Sequence, residues 1–188
     1  MKYLAACLGN IGPEYENTRH NIGFKVANTL AAANGLRFCA ARYGSIAELH
    51  LKGQAIILLK PSTYMNLSGK AVGYWLQTEK IPLEHLLVVL DDINLPFGRL
   101  RMRAGGSDGG HNGLKSIALL LQSERYARLR CGVGNDFGKG RQMDFVLGQW
   151  TDNEQTLLPE YLTRAADAVK AFAAIGLERA MNVVNTAK

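Results

Sequence analysis

The sequence predicts an α/β fold, a single domain over residues 1–188 in which a mixed, mostly parallel central sheet lies between helices in a three-layer sandwich. Short apolar segments of strand length alternate along the chain with longer segments whose apolar residues recur at helical spacing. A hairpin signal, Lys52-Gly53, joins two of the strand segments. The 188 residues contain no internal repeat and no Pro/Ser-rich linker that would divide them.

The first half of the chain predicts three strands and two helices. The strand segments are apolar or alternating, whereas the helical segments repeat apolar residues every three or four positions. Gly35 is the stop signal of the first helix. The predicted strands are Tyr3–Leu8, Ser45–Leu51 and Gln54–Lys60, and the predicted helices are Asn21–Asn34 and Ser68–Glu79.

The second half predicts three more strands and three more helices. The strand Arg99–Arg103 alternates cationic and apolar residues, so it presents one face of each kind. A capping box, Thr151–Glu154, opens a long helix that ends near Gly176. The other predicted strands are Leu86–Leu90 and Ala127–Val133, and the other predicted helices are Leu114–Leu121 and a short one from Leu177.

Composition excludes several classes of protein. A hydrophobic fraction of 47% with 20% charged residues is ordinary for a chain that buries a core, which argues against disorder. No apolar stretch approaches the ~20 residues of a membrane span, and Met1–Leu8 lacks the cleavage site of a signal peptide. The three cysteines are widely spaced and form no C-x-x-C motif, which favours neither disulfides nor structural zinc. We therefore predict a cytoplasmic protein with no membrane partner.

The positive charge is concentrated in one segment. The chain has a net charge of +6, and residues 99–141 hold nine basic residues against three acidic ones, so the rest of the chain is balanced. Such a segment is expected where one face of a protein meets a polyanion, although a merely solvated basic surface would give the same pattern.

Polar residues that can carry chemistry follow several of the predicted strands. In open α/β sheets ligands bind beyond the carboxyl ends of strands, so these loops would converge on one crevice if the strands run parallel. The residues in question are Asn10, His20, Asn66, Asp91, His111 and Asn112.

His20 is the candidate general base. It lies where a helix begins, and a helix N-terminus disfavours the imidazolium form, which keeps a histidine neutral near pH 7. A histidine base also needs a carboxylate to orient it, and Asp91 is the candidate. A role for His20 as a helix cap fits the sequence equally well, and Asn10, Asn66 and Asn112 are either ligand-binding amides or turn residues.

Other catalytic motifs fail on their context. The segment Gly105–Gly109 fits G-x-S-x-G with Ser107 as its serine, yet no histidine follows His111, whereas hydrolases of that class place the histidine last. No His, Cys or acidic pair has metal-ligand spacing, and the glycines near Gly132 and Gly138 complete neither a dinucleotide site nor a P-loop. We therefore predict no cofactor and no metal.

Four long blocks, in this order, resemble bacterial peptidyl-tRNA hydrolases, and the similarity runs from about Lys2 to Met181. The blocks are LGNIGPEYENTRHNIGF (8–24), KPSTYMNLSG (60–69), DDINLPFG (91–98) and GGSDGGHNGLK (105–115). The resemblance implies a monomeric, cofactor-free α/β enzyme that cleaves the ester between a peptide and the 3′ end of tRNA, so that peptidyl-tRNA is its partner and free tRNA returns to translation.

The resemblance also assigns roles to residues. It implies His20 as general base, Asp91 as its orienting carboxylate and Asn10 as the group that distinguishes blocked from free aminoacyl ends. It further implies that four residues hold the substrate end and that two arginines contact tRNA phosphate. The four are Tyr15, Tyr64, Asn66 and Asn112, and the arginines are Arg101 and Arg130.

The chain departs from the family pattern at three positions near the site. Cys7 stands where glycine is usual, while Ile11 and Asp136 stand where proline is usual. Two functions of other classes remain open from the residues alone. One is a non-catalytic RNA-binding module that uses the same basic strand, and the other is a serine hydrolase of small esters.

Overall fold

The computed structural model describes residues 1–187, which form a sheet of seven strands in the order β2-β3-β4-β1-β5-β7-β6. The strands are β1 (Lys2–Cys7), β2 (Cys39–Ala41), β3 (Gly44–Leu51), β4 (Gln54–Pro61), β5 (Leu86–Asp92), β6 (Leu100–Arg103) and β7 (Ala127–Gly132). The helices are α1 (Ile22–Ala33), α2 (Ser68–Thr78), α3 (Asn112–Leu121), α4 (Gln142–Val146), α5 (Asp152–Ile175) and α6 (Leu177–Thr186).

The sheet is mixed and mostly parallel. Strand β1 pairs in parallel with β4 and β5, and β5 pairs in parallel with β7, whereas β3 and β6 run the opposite way. Helices α1, α5 and α6 bury one face of the sheet, and α2 and α3 bury the other, so two apolar cores enclose it. The predicted three-layer α/β fold is confirmed.

Every predicted strand and helix is present, with ends that differ by no more than about two residues. The hairpin turn uses positive φ at Lys52 (50°) and Gly53 (76°), the two positions at which a two-residue turn of this hand requires it. The capping box at Thr151 opens α5 with both of its reciprocal hydrogen bonds. The sequence did not predict β2 and α4, because three and five residues are too few to show a periodicity.

Close packing of α1 on the first strand fixes the position of the segment that precedes the helix. A Cβ atom at Gly23 would lie 2.5 Å from both the backbone nitrogen and the backbone oxygen of Leu8, so only glycine fits. This contact holds the start of α1 against the carboxyl end of β1.

Among residues 1–187 no helix is both long and apolar enough to cross a bilayer.

Candidate active site

The loops that carry the candidate residues meet at the carboxyl edge of the parallel strands. Asp91 lies at the end of β5, Asn10 follows β1, and His20 lies in the short 3₁₀ turn Arg19–Asn21 that leads into α1. His111 immediately precedes α3, on the other side of Asp91. The predicted convergence is therefore present. Its condition, parallel strands, holds for β1, β4 and β5 but not for β6, the strand that precedes His111.

His20 is held by Asp91. Its Nδ1 atom lies 2.9 Å from both carboxylate oxygens of Asp91, and both residues are buried, with His20 only 6% exposed. An ionised carboxylate only accepts hydrogen bonds, so Nδ1 carries the proton and donates it, which leaves the lone pair on Nε2. The Nε2 atom has no hydrogen-bond partner within residues 1–187.

The charge of Asp91 sets the protonation of this pair. Burial alone lowers the pKa of His20, but the negative charge of Asp91 and the hydrogen bond to it outweigh burial and raise the pKa above its ordinary value. Burial tends to raise the pKa of Asp91, yet its two histidine neighbours hold that pKa well below the usual range. Asp91 is therefore a carboxylate throughout the range in which His20 titrates.

His111 is a second histidine on the same carboxylate. Its Nε2 atom lies 2.9 Å from Asp91 Oδ1, while its Nδ1 atom accepts backbone N–H groups of Gly113 at 3.1 Å and Leu114 at 3.4 Å. Because Nδ1 accepts, the proton is on Nε2, and His111 is a neutral donor to Asp91. His111 is thus both the N-cap of α3 and a clamp on Asp91, a role that sequence reasoning missed.

The alternative role of His20 as a helix cap is wrong. The N-cap of α1 is Asn21, no side chain caps that helix, and the His20 ring faces Asp91 instead. The side chain of Asn21 is bonded to the backbone of Asn10, with Oδ1 accepting from its N–H and Nδ2 donating to its carbonyl, each at 2.8 Å.

Asn10 has a fixed amide orientation. Its Oδ1 atom accepts the backbone N–H of Met65 at 2.7 Å, so this oxygen is occupied and the Nδ2 amino group is left as a donor. Asn10 is buried and belongs to the loop after β1, the strand beside β5. Within residues 1–187 this amino group has no acceptor, so a free amide donor lies one strand away from the His20–Asp91 pair.

The four predicted substrate-holding residues differ in exposure and in their relation to the centre. Tyr64 is 56% exposed and Asn66 is exposed, and they flank Met65, whose N–H binds Asn10. Asn112 and Tyr15 are half-buried, and Asn112 lines the same cleft as His20. None of the four side chains forms a hydrogen bond within residues 1–187, so all four are available to a ligand.

The predicted arginines lie on two neighbouring antiparallel strands. Arg101 on β6 is directly opposite Arg130 on β7, and Arg103 is opposite Arg128, so all four leave the same face of the sheet. Arg130 lines the cleft of His20 and lies 3.6 Å from Asp92, and it also donates to the carbonyl of Ser107 at 3.2 Å.

One of these arginines does not belong to the surface. Arg128 leaves the same face of β7 as Arg130 but contributes no charge to the surface, because it is fully buried over the ring of Tyr126. Its guanidinium donates to the carbonyls of Ser107 and Glu124, so it supports the glycine-rich loop. The cationic patch consists of Arg101, Arg103 and Arg130.

The remaining candidates fall outside the centre. Ser107 is exposed and bonds to no histidine within residues 1–187, so the G-x-S-x-G match does not form a nucleophile site. The other two histidines are His50, within β3, and His85, at the amino-terminal end of β5, where it stacks on Tyr3 and contacts a backbone carbonyl. The ligand atoms of His20, Asp91 and His111 lie within 4.8 Å of one another, and hydrogen bonds to the carboxylate account for that closeness.

Fold and site together describe an α/β protein with a carboxylate-held histidine in a cleft beside a basic surface. The family model described as peptidyl-tRNA hydrolase matches residues 4–188. The peptidyl-tRNA hydrolase of Cytophaga hutchinsonii is 59% identical over 188 residues, covering 100% of both chains, and that of Phocaeicola vulgatus is 57% identical over 98% of this chain and 99% of the relative. The crystal structure of peptidyl-tRNA hydrolase from Acinetobacter baumannii superposes with a TM-score of 0.92 at 34% identity, covering 99% of this chain and 95% of that one.

The chain therefore belongs to the peptidyl-tRNA hydrolase family. The predicted family and enzyme class, a carboxylic ester hydrolase, are confirmed. The roles of individual residues rest on the geometry above.

Proposed function

We propose that this chain hydrolyses the ester between a peptide and the 3′ end of tRNA, with His20 as general base on the attacking water. The single observation that carries the assignment of the base is the buried His20 ring, whose Nδ1 is fixed on Asp91 and whose Nε2 is free. Family membership supplies the substrate, because the relatives are peptidyl-tRNA hydrolases.

The reaction needs one proton carrier. Nε2 of His20 takes a proton from water while the water oxygen attacks the ester carbonyl, and the imidazolium that forms is stabilised by the charge of Asp91. As the tetrahedral intermediate collapses, the same nitrogen returns the proton to the departing 3′ oxygen of the ribose. The products are a tRNA with a free 3′ hydroxyl and the peptide acid, which retains the second proton of the water and releases it to solvent to become the carboxylate. No protein nucleophile is required, because an ester is a readily cleaved acyl group.

Asn10 provides a physical basis for selecting blocked ends. Its free Nδ2 donor pairs with a carbonyl oxygen of the peptide, whereas an unblocked aminoacyl end carries an ammonium, which is itself a donor and cannot pair with it. Tyr15, Tyr64, Asn66 and Asn112 supply further unoccupied polar groups around the substrate end.

The cationic patch supports binding of the nucleic acid. Arg101 and Arg130 are paired across β6 and β7, and Arg130 lines the cleft of His20, so phosphates bound there would lie next to the ester. We propose that the whole chain acts as one domain, as a monomer, in the cytoplasm, since the centre is complete within residues of a single chain and its substrate is a product of translation.

Turnover of three substrates by the purified protein tests this function against its alternatives. We expect hydrolysis of N-acetyl-aminoacyl-tRNA, little hydrolysis of unblocked aminoacyl-tRNA, and weak hydrolysis of a small ester. Binding of tRNA without turnover would instead favour the RNA-binding module, and equal rates on the small ester would favour a general esterase.

A further inference from the structure

A second cleft opens on the side of Asn10 that faces away from the cationic patch. It lies between α1 and the ends of β3 and β4, and we name it the lysine cleft. The residues that line it include Asn10, Phe24, Asn28, Ser45, Lys60 and Ser62. Lys25 and Glu16 stand among its other lining residues.

Lys60 is the unusual group in this cleft. Its Nζ donates to Asn28 Oδ1 at 2.7 Å and lies 4.1 Å from the centre of the Phe38 ring. Within residues 1–187 no carboxylate lies within 4.0 Å of it, and burial lowers its pKa. A half-buried ammonium that has three donors and a single neutral acceptor can still pair with an anion.

The second cation has a similar environment. Lys25 Nζ donates to Asn17 Oδ1 at 3.0 Å, and within the described chain it has no carboxylate within 4.0 Å either. Glu16 lines the cleft but is exposed and forms no ion pair with either lysine. Within residues 1–187 the cleft thus holds two cations whose side-chain hydrogen bonds go only to amide oxygens.

The order of the strands fixes which part of the substrate reaches this cleft. From β6 to β3 the carboxyl edge carries the cationic patch (β6, β7), Asp91 (β5), Asn10 (after β1) and Lys60 (β4). If tRNA phosphates occupy the patch and the ester lies at His20, the peptide leaves in the opposite direction, past Asn10 toward Lys60.

We propose that the lysine cleft is a peptide subsite that prefers an acidic side chain, bound through its carboxylate by Lys60. The inference rests on the proposed function, because the path of the peptide is inferred from the positions of the ester and the tRNA. Two strand spacings of about 4.8 Å separate β4 from β5, and an extended peptide advances about 3.3 Å per residue. The acidic residue is therefore the second or third from the ester.

Pairs of substrates that differ only in charge test the subsite. N-acetylated tripeptidyl-tRNAs carry aspartate or asparagine at the first, second or third residue from the ester, with glycine elsewhere. For the wild-type protein we expect kcat/KM to be about two- to tenfold higher for aspartate at the second or third residue, the range of one partly buried ion pair, and the preference to shrink with salt.

Variants assign the preference to Lys60. Lys60→Met should reduce the aspartate-to-asparagine ratio of kcat/KM to about one, while Lys60→Arg, which keeps the charge, should retain most of it. Lys170→Met is the matched control, since Lys170 lies on α5 outside the cleft and should leave both ratio and rate unchanged. A thermal unfolding curve shows that each variant is folded.

The outcomes separate the subsite from the function. Hydrolysis of all substrates with no charge preference at any position, or a preference that persists in Lys60→Met, overturns the subsite and leaves the proposed function standing. Failure to hydrolyse any of the substrates overturns the proposed function and the subsite with it.

Discussion

The Nδ1 atom of His20 lies 2.9 Å from each of the two carboxylate oxygens of Asp91, so that the ring edge faces the carboxylate symmetrically. This geometry fixes the ring plane and the tautomer together, and it directs the unprotonated Nε2 away from the carboxylate. A histidine held in this way is prepared to accept a proton from water, which a helix-capping histidine would not be.

Replacement of Asp91 by asparagine removes charge while keeping an oxygen that can accept the proton of Nδ1. The charge of Asp91 raises the pKa of His20, so its loss lowers that pKa and the base becomes weaker. Because His20 must be unprotonated to act, activity falls as the pH drops through its pKa. In Asp91→Asn we expect the acidic limb of the kcat/KM profile to move to lower pH and the maximum rate to fall by about tenfold or more. An unmoved limb would mean that Asp91 does not act on His20.

Replacement of His111 by asparagine should move the same limb in the opposite direction. In the wild type, the hydrogen bond from His111 partly neutralises the charge of Asp91. Without that hydrogen bond the carboxylate of Asp91 acts more strongly on His20, so the pKa of His20 rises. Asparagine is a good N-cap, whereas alanine is not, so only His111→Ala should lose about 1 kcal/mol of unfolding free energy. The pH profile and urea unfolding measure the two effects, and a limb that moves downward in His111→Asn would contradict this role.

Replacement of Asn10 by aspartate tests the Nδ2 donor of Asn10 while keeping an oxygen in the place of Oδ1. A carboxylate oxygen can still accept the N–H of Met65, but the donor that faces the substrate is lost. We expect KM for N-acetyl-aminoacyl-tRNA to rise and kcat/KM to fall by about tenfold or more, because a hydrogen bond becomes a repulsion between oxygens. Retained folding with an unchanged KM would show that the amide does not bind the peptide.

Removal of Arg101 and Arg130 should weaken binding of tRNA but leave the chemistry intact. In the double alanine variant we expect KM for the full substrate to rise and its log–log salt slope to flatten by about 0.9 per lost phosphate contact. Cleavage of a minimal ester without the tRNA body should barely change. Equal losses on both substrates would mean that these arginines support the fold.

Arg128→Met is the control for that experiment. Arg128 is buried, and its loss removes one hydrogen-bond donor from each of the carbonyls of Ser107 and Glu124 together with the contact to Tyr126, so unfolding free energy should fall by about 1–3 kcal/mol. The salt slope of the folded protein should remain that of the wild type.

The sequence predicted the fold well because the relevant signals are local. The apolar run 86–90, the positive-φ pair Lys52-Gly53 and the capping box at Thr151 each specify an element without reference to the rest of the chain. The burial of Arg128 could not be predicted in this way. Arg128 and Arg130 share one face of β7 and both donate to the carbonyl of Ser107, and contacts of Arg128 with the Tyr126 ring and the Glu124 carbonyl distinguish them.

The site was predictable in part for the same reason. Strand ends located Asn10 and Asp91, and the resemblance selected His20, but the function of His111 depends on contacts between residues 20 positions apart. The sequence around His111 fits either a contact to phosphate or a residue that shapes the loop, and neither interpretation indicates Asp91 as its partner. The departures from the family pattern are accommodated: Cys7 is buried within β1, while Ile11 and Asp136 are exposed.

The most direct test of the account is the rate at which His20→Ala hydrolyses N-acetyl-aminoacyl-tRNA. Loss of the general base should lower kcat/KM by about 10²–10⁴-fold while the dissociation constant for tRNA stays near that of the wild type. Ser107→Ala, measured in parallel, should keep substantial activity, since Ser107 bonds to no histidine in the described chain. A His20→Ala protein with activity within a few-fold of the wild type would contradict the account, and loss of activity in Ser107→Ala would point to the serine instead.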